Sequence, residues 1–489
     1  MMRRIRAAWY WLMHPEGSLT NRAVNAGVWA FALTMTVRGL RTVRVIVLAR
    51  LLSPDDFGLM GIALLTLAFL NAFTNTGFDK ALIQREGDIR GHLDAAWTVS
   101  ILRGFLIGGI VIAGAPIVAG FFHTAAAIGI LRVMGASLVI SGFKNVGVVY
   151  FDRDLQFRQR FIYQSIPQII DLVIAVIAAI ILHNVWALVF GVVARQISMT
   201  FASYLIHPYR PHLNFDRKKM GELLSFGIWI FGSAILSYFS ANLDDIVVGR
   251  VLDATMLGFY TTAYTLSSFT SQQMTGVITE VAFPAFSKLQ NDKLRLRSAY
   301  LRTLRAVALL AFPVAAGLWF VGPQLVGTFM GAKWLPLIPA FNVLLLWGLL
   351  RSIGSTTSPL LFAAGRPDIN TKLHLVTVVL LAVVIYPFTT TGGIVGAAWA
   401  TIVAGLFPVG YLLLLTGRFL EAPRWTIFRT LIIPIAAALL MLIVLVVVRD
   451  PLGATSSRWL LVWSPALGAA VYGAAILLAQ RFLHYSLRF

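Results

Sequence analysis

Three arginines one helical turn apart, Arg38, Arg41 and Arg44, lie inside the otherwise apolar stretch TMTVRGLRTVRVIVLAR. At 100° per residue they span about 120° of a helix surface, a single stripe. A guanidinium in hydrocarbon costs about 2.5 to 3.5 kcal/mol on insertion scales, so such residues face water, a partner or a ligand. The other basic residues in apolar runs are Arg103, Arg132, Lys144, Arg195 and Arg351, and seven of these eight precede residue 210. Arg44 and Lys144 sit near run ends, where long side chains reach the interface; Arg38, Arg195 and Arg351 are about 15 Å from either end. Carboxylates that could neutralise them are few: Asp171, Asp244, Asp245 and Glu280, of which only Asp171 shares the basic half. The excess points to an anionic ligand, and phosphate suits the planar, bidentate guanidinium. The alternative is a structural network, for example Asp171 with Arg38 or Arg195. A lone carboxylate at that depth can also relay a proton or bind Na⁺, so for Asp171 both ion coupling and a counter-ion role stay open.

Positioning these charges requires many spans. The chain has 489 residues, 58% hydrophobic and 12% charged, with a mean hydropathy of +0.81, half the charge content of a soluble domain. This defines an all-α polytopic membrane protein. With about 20 apolar residues needed per crossing, fourteen spans are expected: 25–48, 57–78, 95–121, 126–149, 161–182, 185–206, 223–248, 257–283, 303–321, 335–362, 371–388, 393–416, 427–448 and 459–481. Loop charge alternates accordingly. One side collects 27 of the 40 basic residues, the other only Arg50, Arg250, Lys333, Arg449 and Arg458. The positive-inside rule then puts both termini in the cytoplasm. Residues 1–22, MMRRIRAAWYWLMHPEGSLTNR, read as a retained interfacial segment, since no small-residue cleavage site follows the interrupted apolar run. The net charge of +20 reflects topology and anionic headgroups rather than nucleic acid.

The sequence also repeats. Residues 45–70 align without gaps to 245–270, with seven of 26 positions identical: Ile46/Ile246, Val47/Val247, Arg50/Arg250, Leu52/Leu252, Gly58/Gly258, Ala63/Ala263 and Phe69/Phe269. The 200-residue offset carries span 1 onto span 7, which makes the repeat parallel, with an axis along the membrane normal. The expected organisation is an amino-terminal lobe of six spans (23–210), a carboxyl-terminal lobe of six (211–418) in pseudo-twofold relation, and two appended helices (419–489). The alignment sets Arg44 opposite Asp244, which suggests a contact between lobes; the alternative is that each pairs within its own half.

Several chemistries lack their residues. There is no cysteine, no G-x-x-x-x-G-K-[ST] phosphate loop, no H-E-x-x-H and no G-x-S-x-G, so thiolate chemistry, a usual ATP site, a common metal site and a serine-hydrolase elbow are unsupported. The G-x-x-x-G pairs Gly104/Gly108 and Gly392/Gly396 read as packing.

The segments LARLLSPDDFGLMGIA, ALIQRE (81–86), RDLQFR (153–158), DIVVGRVLDATMLGFYTTAY (245–264) and FPAFSKLQ (283–290) resemble the polysaccharide transporter (Wzx-like) family of the multidrug/oligosaccharidyl-lipid/polysaccharide exporter superfamily. The likeness is dense from 45 to 290 and weak after about 420. It implies two six-helix lobes around a cavity and a non-enzymatic flippase. The implied cargo is a polyprenyl-diphosphate-linked oligosaccharide, moved by alternating access across a bacterial or archaeal cytoplasmic membrane for exopolysaccharide, capsule or O-antigen synthesis. Arg38, Arg41, Arg103, Arg132, Arg195 and Arg351 would then engage the diphosphate or acidic sugars, with Asp171, Arg44 and Asp244 in ion coupling or interlobe contact. No resident cofactor or metal is implied beyond a coupling H⁺ or Na⁺, and polymerase and co-polymerase are candidate partners. The competing readings are a drug/cation antiporter, which the arginines in span 1 disfavour, a peptidoglycan-precursor flippase, and a polytopic glycosyl- or acyltransferase.

Overall fold

The computed structural model describes residues 19–74, 82, 89–154, 156–268, 275–449 and 457–483; the expected interfacial segment 1–22 lies almost wholly outside them. Every described element is helical, with no strand among the described residues, as expected where a backbone in lipid must satisfy its own polar groups. Nine helices among the described residues are long and apolar enough to cross a membrane, or ten if one bent pair counts as a span. The chain divides into two compact units, one of residues up to Leu52 with Ile62–Ile235, the other of Ser53–Gly61 with Leu236–Phe489.

The first unit contains α1 (Leu19–Leu51), most of α2 (Pro54–Thr74), α3 (Arg90–Phe121), α4 (Ala127–Gly142), a short α5 (Val149–Arg153), α6 (Phe157–Leu182) and α7 (Trp186–Ile206). Gly104 and Gly108 do pack: a Cβ on Gly108 would lie 2.7 Å from the Gly135 carbonyl oxygen, and one on Gly142 would lie 2.9 Å from that of Ser100. The span expected at 126–149 departs from a single helix. It stops at Gly142 and resumes at Val146, bent by 74°. Asn145, fully buried, builds the break: its N–H donates to Ser203 Oγ (2.9 Å), its Nδ2 to the Tyr209 carbonyl (2.6 Å), and its Oδ1 accepts from Gly147 N–H (2.9 Å). The Phe143 carbonyl, left without a helical donor, accepts from Trp97 Nε1 (3.3 Å) and Tyr204 Oη (2.7 Å). The hydropathy of the run hid this bend, because its cause is side-chain bonding to residues about 60 positions away.

The second unit holds the end of α8 (Arg217–Val251), α9 (Ala254–Ser267), α10 (Thr275–Leu289), α11 (Lys293–Leu325), α12 (Ile338–Ser355), α13 (Ser358–Ala363), α14 (Pro367–Phe419), α15 (Arg424–Arg449) and α16 (Ser457–Leu483). A straight helix of 53 residues would run about 80 Å. α14 instead folds back at Gly393, whose φ of 58° and ψ of −142° are non-helical, and a Cβ on Gly396 would sit 1.8 Å from the Phe388 carbonyl oxygen. The appended α15 and α16 pack on α11 through an apolar cluster that includes Phe320, Met441, Leu445 and Tyr472.

The first turns of α2 and α9 meet within this unit. The SPDD motif is a capping box, in which the Ser53 N–H donates to Asp56 Oδ2 (2.9 Å) and the Asp56 N–H to Ser53 Oγ (3.3 Å). Asp253 caps α9 by accepting the Met256 N–H at 2.7 Å. A Cβ on Gly58 would lie 1.6 Å from the Ala254 carbonyl oxygen, and one on Gly258 would lie 1.9 Å from that of Pro54. The two contacts are reciprocal, since Gly58 and Gly258, like Pro54 and Ala254, are aligned positions 200 residues apart. Fully buried Trp334 closes the junction, meeting Phe57 and Phe259 edge to face at 5.0 and 5.9 Å.

Candidate functional site

The arginine stripe of α1 faces α6 and α7 within the first unit. Arg44 Nε donates to Asp171 Oδ1 at 3.0 Å, and Asp171 is only 2% exposed. The carboxylate rests on Gly191 of α7, where a Cβ would lie 2.5 Å from Oδ1; a side chain there would displace it. Arg195 follows one turn on, and Arg195, Arg38, Asp171 and Arg44 are the charges that act on Arg41. Arg44 is thus the partner of Asp171, in place of the expected Arg38 or Arg195. Arg41 is exposed, while Arg38 and Arg195 are half-buried. Among the described residues, Arg41 and Arg195 add guanidinium charge beside the Arg44–Asp171 pair, at a depth where charge interactions are stronger than in water.

Arg44 and Asp244, which the alignment sets opposite each other, each have a partner within their own unit. Asp244, 4% exposed, accepts from Tyr260 Oη at 2.8 Å, and Arg351 Nη1 donates to Tyr264 Oη at 2.8 Å. Asp244, Tyr264, Trp347, Arg351 and His374 line a cavity of about 460 Å³ in the second unit. The Trp347 ring lies against Gly405, where a Cβ would come within 2.1 Å of it. Sequence reading found Arg351 and Asp244 because they are charged. It missed Tyr260, Tyr264 and Trp347, which are ordinary residues in a span; His374, inside the run 371–388, was the available signal.

The remaining candidates lie apart. Arg103 lines a second cavity, of about 290 Å³, in the first unit, and donates to Asn71 Oδ1 (2.9 Å) and Thr74 Oγ1 (3.3 Å). Arg132 is exposed on α4 and lines neither cavity. No group of three metal-ligating side chains occurs among the described residues. Beyond α7, the loop 207–216 is tied to α3, with Tyr209 Oη and the His212 N–H both donating to Asp94. Burial, then Arg210, holds the His207 imidazole below its ordinary pKa, and its Nδ1 accepts the Tyr209 N–H at 3.2 Å.

Bent and broken spans around charged interior surfaces define a helical membrane-transporter fold, and a solved structure has it. The chain superposes on "Lipid II flippase MurJ, inward closed conformation" with a TM-score of 0.77, over 94% of this chain and 99% of that one, at 17% identity. Residues 47–339 match the family described as "Polysaccharide biosynthesis protein", and the chain belongs to that family. Relatives include the lipopolysaccharide biosynthesis protein WzxC of Escherichia coli, 25% identical over 73% of each chain. The succinoglycan biosynthesis transport protein ExoT of Rhizobium meliloti is 25% identical over 94% of this chain and 93% of its own. The resemblance read from the motifs is therefore correct at family level, and the chain is a multi-pass membrane transporter rather than an enzyme.

Proposed function

We propose that this protein flips a polyprenyl-diphosphate-linked oligosaccharide across the cytoplasmic membrane for surface-polysaccharide assembly. The observation that carries this is the cluster in which Arg38, Arg41 and Arg195 stand around the buried Arg44–Asp171 pair. Arg44 neutralises Asp171, and the neighbouring Arg41 and Arg195 offer the planar forks that suit a diphosphate. In this reading the chain crosses the membrane fourteen times with both termini cytoplasmic, as two six-helix lobes and two appended helices. Alternating access exposes the arginines to each face in turn while the prenyl tail stays in lipid. Arg351 and its hydroxyl-bearing neighbours contact the sugars, Asp171 or Asp244 serves a coupling H⁺ or Na⁺, and a polymerase receives the product.

The test is translocation of a fluorescent polyprenyl-diphosphate oligosaccharide by purified protein in liposomes. Arg41→Ala and Arg195→Ala are each expected to lower the rate at least about tenfold, the worth of one charge-assisted bond. Lysine at these positions should restore part of it, a point charge replacing the fork. Wild-type rates in all the alanine variants would remove the cluster from the transport path.

A further inference from the structure

α14 supplies two walls of one cavity. Its fold-back at Gly393 sets Asn370 and His374 on one leg and Gly405 on the other, and all three line the cavity of about 460 Å³ together with Trp347 and Arg351 of α12. That volume falls within the range of about 300 to 1,000 Å³ typical of small-molecule sites. Trp347 and Arg351 are four residues apart, neighbours on one helix face. The indole is held at two points. Its Cζ3 and Cη2 edge lies against Gly405, where a Cβ would come within 2.1 and 2.6 Å of those atoms, and it interacts with Tyr264. Tyr264 Oη in turn accepts from Arg351 Nη1 at 2.8 Å. An aromatic ring fixed in this way offers a rigid apolar surface and has little side-chain freedom to lose on binding.

The polar wall decides what suits that surface. Arg351 offers only donors and Asp244, as a carboxylate, only acceptors, whereas the hydroxyls of Ser237, Ser240 and Thr401 offer both. Ser358 Oγ donates to Asn370 Oδ1 at 3.1 Å, which orients the amide so that its nitrogen serves as donor. An anion calls for donors and an organic cation for acceptors. A sugar hydroxyl donates and accepts at once, and a pyranose ring also has C–H groups that need an apolar platform. We infer that this cavity binds one neutral pyranose unit stacked on Trp347, with Gly405 as the positioning residue that seats the indole. The inference rests on the reading of the cargo as a lipid-linked oligosaccharide and names where one of its sugars docks; it involves no diphosphate.

The test is saturation-transfer-difference NMR on the full-length protein in phospholipid nanodiscs, which avoid competition from glycosidic detergents. The probes are the methyl glycosides of glucose, galactose, N-acetylglucosamine and glucuronic acid, with tetraphenylphosphonium as an organic cation. At least one neutral glycoside should bind more tightly than the glucuronide. Trp347→Ala should weaken that binding about tenfold, and Trp347→Phe should keep part of it. Gly405→Ala should also weaken it by unseating the ring. The double variant Gly405→Ala/Trp347→Phe should return to the level of Trp347→Phe alone, because the smaller ring leaves room for the methyl. Trp399→Ala, at an exposed position, should bind like wild type. Unchanged binding in both Trp347→Ala and Gly405→Ala, preference for the glucuronide, or displacement of the glycosides by tetraphenylphosphonium would each overturn the inference. Absence of glycoside binding beside intact translocation of the polyprenyl-diphosphate oligosaccharide sinks this inference alone; glycoside binding without translocation sinks the cargo reading alone.

Discussion

Removing Asp171 is the sharpest test of how the arginine cluster is held. The carboxylate is 2% exposed, its Oδ1 lies 3.0 Å from Arg44 Nε, and the Arg44 side chain is itself only 17% exposed. One terminal nitrogen of Arg44 is already buried without a partner. Asp171→Ala therefore strands a guanidinium away from water, at a cost of about 3 to 5 kcal/mol. For a unit of this size that lowers Tm by about 6 to 20 °C. Arg44→Leu should cost less, because the remaining acid can neutralise itself by taking up a proton. The double variant removes both charges and should recover much of the loss, with a coupling energy of about 2 kcal/mol or more. Scanning fluorimetry of detergent-purified protein completes the cycle. If Asp171→Ala shifts Tm by less than about 2 °C, or the double variant melts no higher than the worse single one, the pair does not anchor the cluster.

Three further outcomes are expected. Gly58→Ala and Gly258→Ala should each destabilise by about 1 to 3 kcal/mol or more, because the added carbon meets a backbone oxygen that no rotamer change can move; Gly61→Ala, at 3.5 Å from a flexible Leu257 methyl, should melt like wild type, and equal shifts at positions 58 and 61 would contradict the geometry. Gly393→Ala should cost about 1 to 3 kcal/mol, a torsional effect, since nothing lies within 4 Å of its added carbon; an unchanged Tm counts against the fold-back. His207 is depressed in the folded protein, so the unfolded chain takes up its proton first as pH falls through about 6.5 and stability declines below that point. The Tm of His207→Phe should fall less steeply than wild type between pH 7 and 5, and parallel slopes would exclude the residue.

What the sequence could disclose depended on the range of the cause. The arginine stripe was visible because charge in an apolar run needs no knowledge of neighbours, and the fold-back at Gly393 was visible as the gap between two runs. The capping role of Ser53 and Asp56 is local, as is that of Asp253. The Arg44–Asp171 bond joins residues 127 positions apart, and hydropathy says nothing about which guanidinium an acid will choose. The break after Gly142 was missed for the same reason: Ser203 and Tyr209 hold Asn145 across the fold, while the apolar run continues. Lys144 then read as a side chain reaching for the interface, when its backbone lies in the bend itself. Tyr260, Tyr264 and Trp347 gain polar or positional meaning only from Asp244, Arg351 and Gly405 beside them.

The meeting of α2 and α9 reads the same from either side: Gly58 takes the carbonyl of Ala254 as Gly258 takes that of Pro54. That is the form of an isologous dimer contact, enclosed within one polypeptide. An added methyl on either partner is therefore an error of the same kind, and neither helix start can open space for the other by changing alone. The residues further along each helix are under no such bond, while the point where the two helix starts touch has room for nothing larger than hydrogen.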